Sequence, residues 1–472
     1  MTQSMSSFMI FFGTNVLNVS GFLIGTAFAI GIIWDAATDP VMGHISDHTK
    51  SRNFGRRHGY ILYGTILLAA ANMLLWIVPV DLSQIAKFLW VTVSILLFHT
   101  FSTLVLTPYN ALAVDLTKEY NEQTNVQSVK GVFGLLGIIL PIGIMAFLQS
   151  NQQITGGMDG RNVQNTYVYL AAISSVLILI CGSVVFLGTY KHIPRLNKEA
   201  RLENAKKTKK RNVILDFFKL LKNNNYRSLI IATCSISMAT AFLTGMGLHV
   251  FTYTLKLDAL HMYGLIGGLF LVSILSQPVW LHICKKRDKK PAFLLGVMIT
   301  VCGLFMLFVI LILYADIKNQ NLLIGFLVIP IVMLGFGMGC GYSVPTSMFA
   351  DIIIVNSKKS EEDKSGTIMG FVTFTFKIAT ALALLLASIL LDIIGFNTEG
   401  NPETYNPSLE IRQNLGYVLV TALLAFEIIA VVFILMYRLK KADVINAKKE
   451  LEEEQKNNQE SEKTEKANVQ NS

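Results

Sequence analysis

WDAATDPVMGHISDHTKSRNFGRRHG, residues 34–59, decides how the rest of the chain is read. Asp35 and Asp39 lie at i and i+4 within a run that is otherwise apolar from Gly21 to Met42. A helix there places both carboxylates on one face. An ionised carboxylate at membrane depth costs roughly 2.5–3.5 kcal/mol on insertion scales, so that face turns from lipid toward a cation or a protein partner. Lys50, Arg52, Arg56 and Arg57 follow at once, a basic knot that belongs on the cytoplasmic side of a membrane. The segment is thereby both located and oriented.

The remaining chain agrees with a polytopic membrane protein. Of 472 residues, 52% are hydrophobic and only 15% charged, and the mean hydropathy is +0.51. About 20 apolar residues span a bilayer. On that ruler twelve segments are expected, near 4–18, 20–44, 59–79, 88–112, 129–149, 166–189, 228–254, 262–283, 291–314, 321–348, 367–393 and 414–438. The connections at 45–58, 190–227, 285–290 and 358–364 are rich in Lys and Arg, whereas those near 80–87, 150–165, 255–261, 315–320 and 394–413 are nearly free of them. This bias predicts a multi-pass protein of a cell membrane with both termini in the cytoplasm. The net charge of +9 then belongs to topology, and no nucleic-acid partner is expected. Met1–Ser7 has no positive n-region, so no cleaved secretory leader is expected. Cys181, Cys234, Cys284, Cys302 and Cys340 are scattered singly and read as small apolar residues. The first segment is short, interrupted by Thr14, Asn15 and Asn18, and is expected to be either a partial helix or the end of one starting upstream of Met1.

Two passages recur at almost one offset. DPVMGHISDHTKSRNFGRRHGYILYG from Asp39 is echoed by QPVWLHICKKRDKKPAFLLG from Gln277, 238 positions on, and PYNALAVDLTKE from Pro108 more weakly by PTSMFADIIIVN from Pro345. The expectation is an all-α fold of two pseudo-symmetric six-helix bundles, the parallel-repeat plan of major facilitator transporters. The bundles would span 1–190 and 228–439, joined by a basic cytoplasmic loop, 191–227, and followed by a charged, disordered tail, 440–472. Asp39 becomes Gln277 in the repeat, and Asp35 becomes Ser273, so a charged site belongs to the first bundle alone.

That site is where chemistry is expected. Alternating access requires a cavity between the halves and, for coupling, an ion site near the midplane. Asp35 and Asp39 suit a small hard cation or a proton, and Thr38 can add an oxygen. Lys377, in FVTFTFKIATALALLL, faces the same cost and is expected to partner the carboxylates, competing with or replacing the coupling ion, or else to snorkel to an interface. Lys130 is placed either at an interface or in the cavity. Trp34, Tyr109 and Asn110 offer aromatic faces and an amide to a polyol, or else serve as interfacial anchors. His99 and His249 read as packing residues or proton relays. Asp47 with Arg52, Arg56 and Arg57, Asp115 with Lys118, and Asp351 in the second half read as cytoplasmic gate charges, or as solvated loop charge. No Walker-type phosphate loop, H-E-x-x-H motif or nucleophile elbow occurs, so the chain is not expected to be an enzyme, and an ion gradient is the expected energy source.

The opening motif, with its W-D, D-P-x-M-G, S-D and G-R-R elements, resembles the glycoside-pentoside-hexuronide cation symporters, the group of the melibiose carrier. PYNALAVDLTKEYNEQTNVQS and the surroundings of Lys377 resemble that family's fourth-helix exit and eleventh helix. The resemblance runs from Met1 to about Leu439. It implies symport of a sugar or glycoside with Na+, Li+ or H+ and no other cofactor. Asp35, Asp39, Thr38 and Thr103 would be the cation ligands, Lys377 the coupling residue, and Lys130 would stand where the family places an Arg near the sugar. Two features depart from the family. Leu106 stands where the melibiose carrier has an acidic sugar ligand, and that carrier's first-helix sugar Asp has no counterpart here. A monomer carrying a small sugar-like molecule is the expectation. A lipid-like substrate, a non-transporting sensor and a truncated inactive carrier remain as alternatives.

Overall fold

The computed structural model describes residues 2–49, 51, 54–55, 57–116, 120–156, 160–195, 221–313, 319–357, 365–396, 406–447 and 450. Twelve long helices carry the fold: α1 (Thr2–Phe11), α2 (Gly21–His48), α3 (His58–Trp76), α4 (Gln84–Asp115), α5 (Tyr120–Ser150), α6 (Gln164–Thr189), α7 (Asn224–His249), α8 (Ala259–Lys286), α9 (Lys289–Leu313), α10 (Gln320–Ser357), α11 (Ser365–Ile393) and α12 (Leu409–Met436). Among the described residues, ten are long and apolar enough to cross a membrane, and α5 adds the apolar stretch Leu136–Ser150. Side-chain oxygens start several of them. Ser20, Ser83, Asn223, Asp258 and Ser408 each accept a bond from a backbone N–H of the first turn, satisfying donors that a helix leaves open.

The helices pack in two matching sets. In the first set α2 lies on α4, and α3 on α4 and α6; in the second α8 lies on α10, and α9 on α10 and α12. The duplication extends to backbone detail at the same spacing of 238. A π turn at Phe12–Val16 matches one at Val250–Thr254. Asn18 (φ 53°) matches Lys256 (φ 52°), both in the left-handed region that few non-glycine residues adopt. Pro40 inside α2 matches Pro278 inside α8.

The first segment is accounted for by burial. Phe8, Met9, Ile10, Phe11 and Phe12 are all at most 2% exposed. Its polar residues meet the second set: Thr14 Oγ1 lies 2.8 Å from His249 Nε2, and the Asn15 amide donates to the Tyr253 hydroxyl. Thr14 and Asn15 thus have partners inside protein, where an unpaired polar group in hydrocarbon would cost several kcal/mol.

The sets also meet through two symmetry-related contacts, α2 with α11 and α5 with α8. Near the basic-poor end, Asp392 accepts from the backbone N–H of Gly21 (2.8 Å) and Phe22 (2.7 Å), and the Tyr263 hydroxyl donates to Gln149 Oε1 (3.0 Å). There, too, Arg161 donates to the Leu257 carbonyl (2.7 Å) and to Thr252 Oγ1 (3.2 Å). The conformation is closed at that end. The middle loop over 196–220 and the tail beyond Glu450 lie outside the described residues.

Candidate functional site

The site is built where α2, α4 and α11 converge. Thr103 Oγ1 on α4 donates to Asp35 Oδ1 at 2.8 Å, and His99, one turn earlier and only 2% exposed, has Nδ1 3.5 Å from the same oxygen. Lys377 Nζ, reaching from α11, lies 2.7 Å from Asp35 Oδ2 and also donates to Asp39 Oδ2. Helical spacing puts the two carboxylates one turn apart, so a single ammonium serves both. The exposures of 15% for Asp35, 24% for Lys377 and 35% for Asp39 make the cluster half-buried, deepest at Asp35. The two carboxylates and the one ammonium, taken by themselves, carry one net negative charge. Pro40 adds an acceptor: lacking an N–H, it leaves the Ala36 carbonyl, between the two aspartates, without its helical partner.

Thr38 Oγ1 bonds back to the Trp34 carbonyl (3.0 Å) and the Asp35 carbonyl (3.2 Å) of its own helix, which occupies its proton and leaves its oxygen lone pairs as acceptors. Trp34 is tied to α4 through Nε1 and Thr100 Oγ1 at 2.9 Å. Lys130, Tyr109 and Asn110 come together: Lys130 Nζ donates to Asn110 Oδ1 at 2.6 Å and stands 5.6 Å from the centre of the Tyr109 ring.

Of the expected gate charges, the side chains of Asp351 and Arg57 are described. Asp351 pairs with Lys289 Nζ at 2.6 Å, and that ammonium also donates to the Ser347 carbonyl. This ties α9 to α10 within the second set, so in this conformation Asp351 bridges no gap between the sets. Arg57 is buried at the start of α3. Arg52, Arg56 and Lys118, and the side chains of Asp47 and Asp115, lie outside the described residues.

Within the second set lies a cavity of about 460 Å³ walled by α7, α10 and α11, with Thr233, Ser237, Tyr342, Thr346, Thr373 and Thr380 as its polar lining. A small second chamber of about 70 Å³ shares Thr240, Thr244 and Met338 with this wall. It runs between α7, α8, α9 and α10 past Leu243, Phe251, Ile266, Leu307 and Leu334, almost entirely apolar. On α4, Leu106 follows Thr103 on the helical stripe that continues to Asn110, so a leucine stands one turn from the carboxylates.

Sequence reasoning left several site features unread. His99 was legible only as a lone imidazole, because its contact with Asp35 joins residues 64 apart in the chain. Thr100, Asp392 and Glu427 gave no expectation. Glu427 carries the same mark that singles out Asp35, a carboxylate inside an apolar run, and is 5% exposed in α12.

Helices of membrane-spanning length in two repeated sets, tied together by the ion pairs of Lys377 with Asp35 and Asp39, have the architecture of a multi-pass transporter of the major facilitator type. Solved structures share this fold: the nucleoside transporter NupG (TM-score 0.60, 13% identity, covering 93% of this chain and 96% of that one) and a D-xylose-proton symporter (0.58, 13%, 92% and 95%). The chain belongs to the family described as MFS/sugar transport protein, whose pattern matches residues 1–441. Among its relatives are the sodium-dependent lysophosphatidylcholine symporter 1 of Gallus gallus, 23% identical over 96% of this chain and 87% of that protein, and the uncharacterized symporter YnaJ of Bacillus subtilis, 24% over 96% and 91%. The sphingosine-1-phosphate transporter MFSD2B of Xenopus tropicalis is 22% identical over 85% and 78%. The protein is therefore a membrane transporter and not an enzyme.

Proposed function

We propose that the protein is a cation-coupled symporter of a cell membrane whose substrate is an amphiphile, a polar head on one apolar chain, moved by alternating access of the two helix sets. The observation that carries the coupling is the charge count. Asp35, Asp39 and Lys377 together leave one negative charge, which one monovalent cation neutralises. Asp35, Asp39, Thr103 and the Ala36 carbonyl supply the oxygens, with Thr38 adjoining, a donor set suited to Na+ or Li+, and a proton can use the same carboxylates. Lys377 is the coupling residue. Its ammonium stands where a cation would be drawn, so cation entry and Lys377 displacement are linked.

The substrate class rests on the apolar chamber opening from a hydroxyl-lined wall, and on Leu106 replacing the acidic sugar ligand. The lysophosphatidylcholine symporter of Gallus gallus and the sphingosine-1-phosphate transporter of Xenopus tropicalis, both relatives of this chain, support it. Lys130, with Asn110 and Tyr109, provides a cation for a phosphate or carboxylate head.

A second reading, a sugar or glycoside as in the melibiose-carrier group, draws on the hydroxyls of the same wall and the exposed Trp34. Uptake into proteoliposomes under imposed Na+, Li+ and H+ gradients separates the two. Gradient-dependent accumulation of a labelled lysophospholipid, uncompeted by glycosides, is expected. Accumulation of a glycoside alone would replace the amphiphile with the sugar reading, and uptake of neither would return the protein to a sensor.

In this reading the basic loops and both termini face the cytoplasm, so the closed end is the outer one. The bundles 1–190 and 228–439 move as units within a monomer, joined by the loop 191–227.

A further inference from the structure

Glu427 sits deep in α12, and the coupling site makes no use of it. It belongs to a buried stripe that helical spacing runs from Leu415 through Leu419 and Leu423 to Ala430 and Ile434. α12 packs on α7, on the π turn that follows α7, and on α9. Both of its ends are pinned to these elements. Near the outer end Thr254 Oγ1 donates to the Arg412 carbonyl at 2.7 Å, and a Cβ at Gly416 would fall 3.2 Å from the Leu311 side chain of α9. Near the basic end the Arg438 N–H donates to Asn225 Oδ1 at 2.9 Å, and Lys290 Nζ donates to the carbonyls of Leu435 (2.9 Å) and Tyr437 (2.7 Å). Between these ends Phe426 meets Phe242 of α7 edge to face at 6.1 Å. Glu427 is therefore enclosed: it is 5% exposed, and Leu423 and Ala430, a turn away on either side, are buried too.

No counter-charge faces it. α7 has no charged residue from Ser228 to Leu248, and its titratable groups there and just beyond are Cys234 and His249, the latter held by Thr14 at the outer end. The π turn adds Tyr253, α9 from Pro291 to Leu313 adds Cys302, and α12 from Gln413 to Tyr437 adds the two tyrosines Tyr417 and Tyr437. Lys290 is level with Leu435, eight residues or roughly 12 Å along the helix axis, and its ammonium is taken up by the two carbonyls. Glu427 Oε2 has no hydrogen-bond partner among the described residues. An ionised carboxylate is strongly disfavoured in such a place, and a neutral carboxyl far less so. A hard metal cation needs several oxygens, whereas a proton needs one. From the enclosure, the unpartnered oxygen and the absence of a counter-charge on every element packed against it, we propose that Glu427 is a proton-binding site separate from the Asp35–Asp39 cluster. It is occupied in this conformation, and its proton allows α7 and α9 to close on α12. Glu427 lines neither the 460 Å³ cavity nor the apolar chamber, so this proton acts on the packing of the second set.

The inference is independent of the substrate and of the coupling cation. A solvated glutamate has lost its proton at neutral pH. Unfolding therefore releases the proton that Glu427 holds, and the unfolding constant should rise about tenfold per pH unit on this account. The test is the infrared difference between the native chain and Glu427→Gln, both in lipid at neutral pH. Loss of one protonated-carboxyl band, with the carboxylate bands unchanged and no response to Na+, is the expected result. Loss of a carboxylate band, or a protonated band that Na+ removes, would overturn the proposal. The Tm of Glu427→Gln should also exceed that of the native chain by a margin that widens as pH is raised through neutral; a constant margin would overturn it. A further readout needs no variant. A hydrophobic carbodiimide takes the proton of a neutral acid onto nitrogen while the carboxyl oxygen bonds to its central carbon, leaving an adduct that mass spectrometry locates. Labelling of Glu427 at least 10-fold faster than by a charged, water-soluble carbodiimide is expected. Equal or slower labelling, or none, would count against the proton.

Discussion

Lys377 serves two carboxylates at once, so removing the ammonium and removing an acid have different consequences. Asp39→Asn brings the cluster to neutrality, and Na+ affinity should fall about 100-fold or more, some 2.7 kcal/mol by the usual conversion. Lys377→Met leaves two negative charges. Na+ should then bind at least as tightly as before, while gradient-driven uptake falls at least 100-fold because the ammonium no longer links cation entry to substrate movement. Titration calorimetry beside transport separates these effects, and equal loss of binding in both variants would rule out the charge count. Thr103→Val deletes one hydroxyl from Asp35, and a net hydrogen bond is worth about 1 kcal/mol, so about fivefold weaker Na+ binding is expected. Glu427 lies apart from this chemistry. Its Oε2 has no hydrogen-bond partner among the described residues, and an ionised carboxylate sealed in α12 is costly. Glu427→Gln should leave the Tm unchanged or raise it; a clear fall would show that the acid has a stabilising partner.

The contact between α2 and α11 combines close backbone approach with a capped helix. A Cβ at Gly25 would fall 2.5 Å from Ser388 Cβ and 3.3 Å from Leu385 Cα, so only a glycine admits this crossing. The Asp392 carboxylate meets the N–H groups of Gly21 and Phe22 at the positive end of α2. Gly25→Val, and more mildly Asp392→Asn, should lengthen the distance between spin labels at the basic-poor ends of α2 and α11, shifting the population toward the oppositely open state. Unchanged distances in both variants would show that other contacts hold that end. Each of the twelve expected segments falls on a helix among the described residues, and ten of those helices are long and apolar enough to span a bilayer. The repeat was legible because prolines and charged turns recur at one spacing. The site was legible in part: Asp35, Asp39 and Lys377 stood out by the cost of charge in apolar runs, and that cost also drives them together. Thr100 and Asp392 are ordinary residues locally, and their partners lie 66 and about 370 positions away. The π turns arise where α1 and α7 meet, a tertiary cause that local pattern does not announce.

At the scale of the molecule, the account is of two similar bundles made unlike by three charges. A cation that binds only the folded protein should stabilise it, by mass action, by about 2.7 kcal/mol at 100 times its Kd. A Na+-dependent rise in Tm is expected for the native chain and not for Asp39→Asn.

The measurement that bears most directly on the central claim is calorimetric titration of the purified protein with Na+, Li+ and, through buffer-dependent proton release, H+, compared with Asp39→Asn. The account predicts one monovalent cation per chain, bound by the native protein and lost in the variant. Undiminished binding by Asp39→Asn, or no binding of any of the three by the native protein, would contradict it.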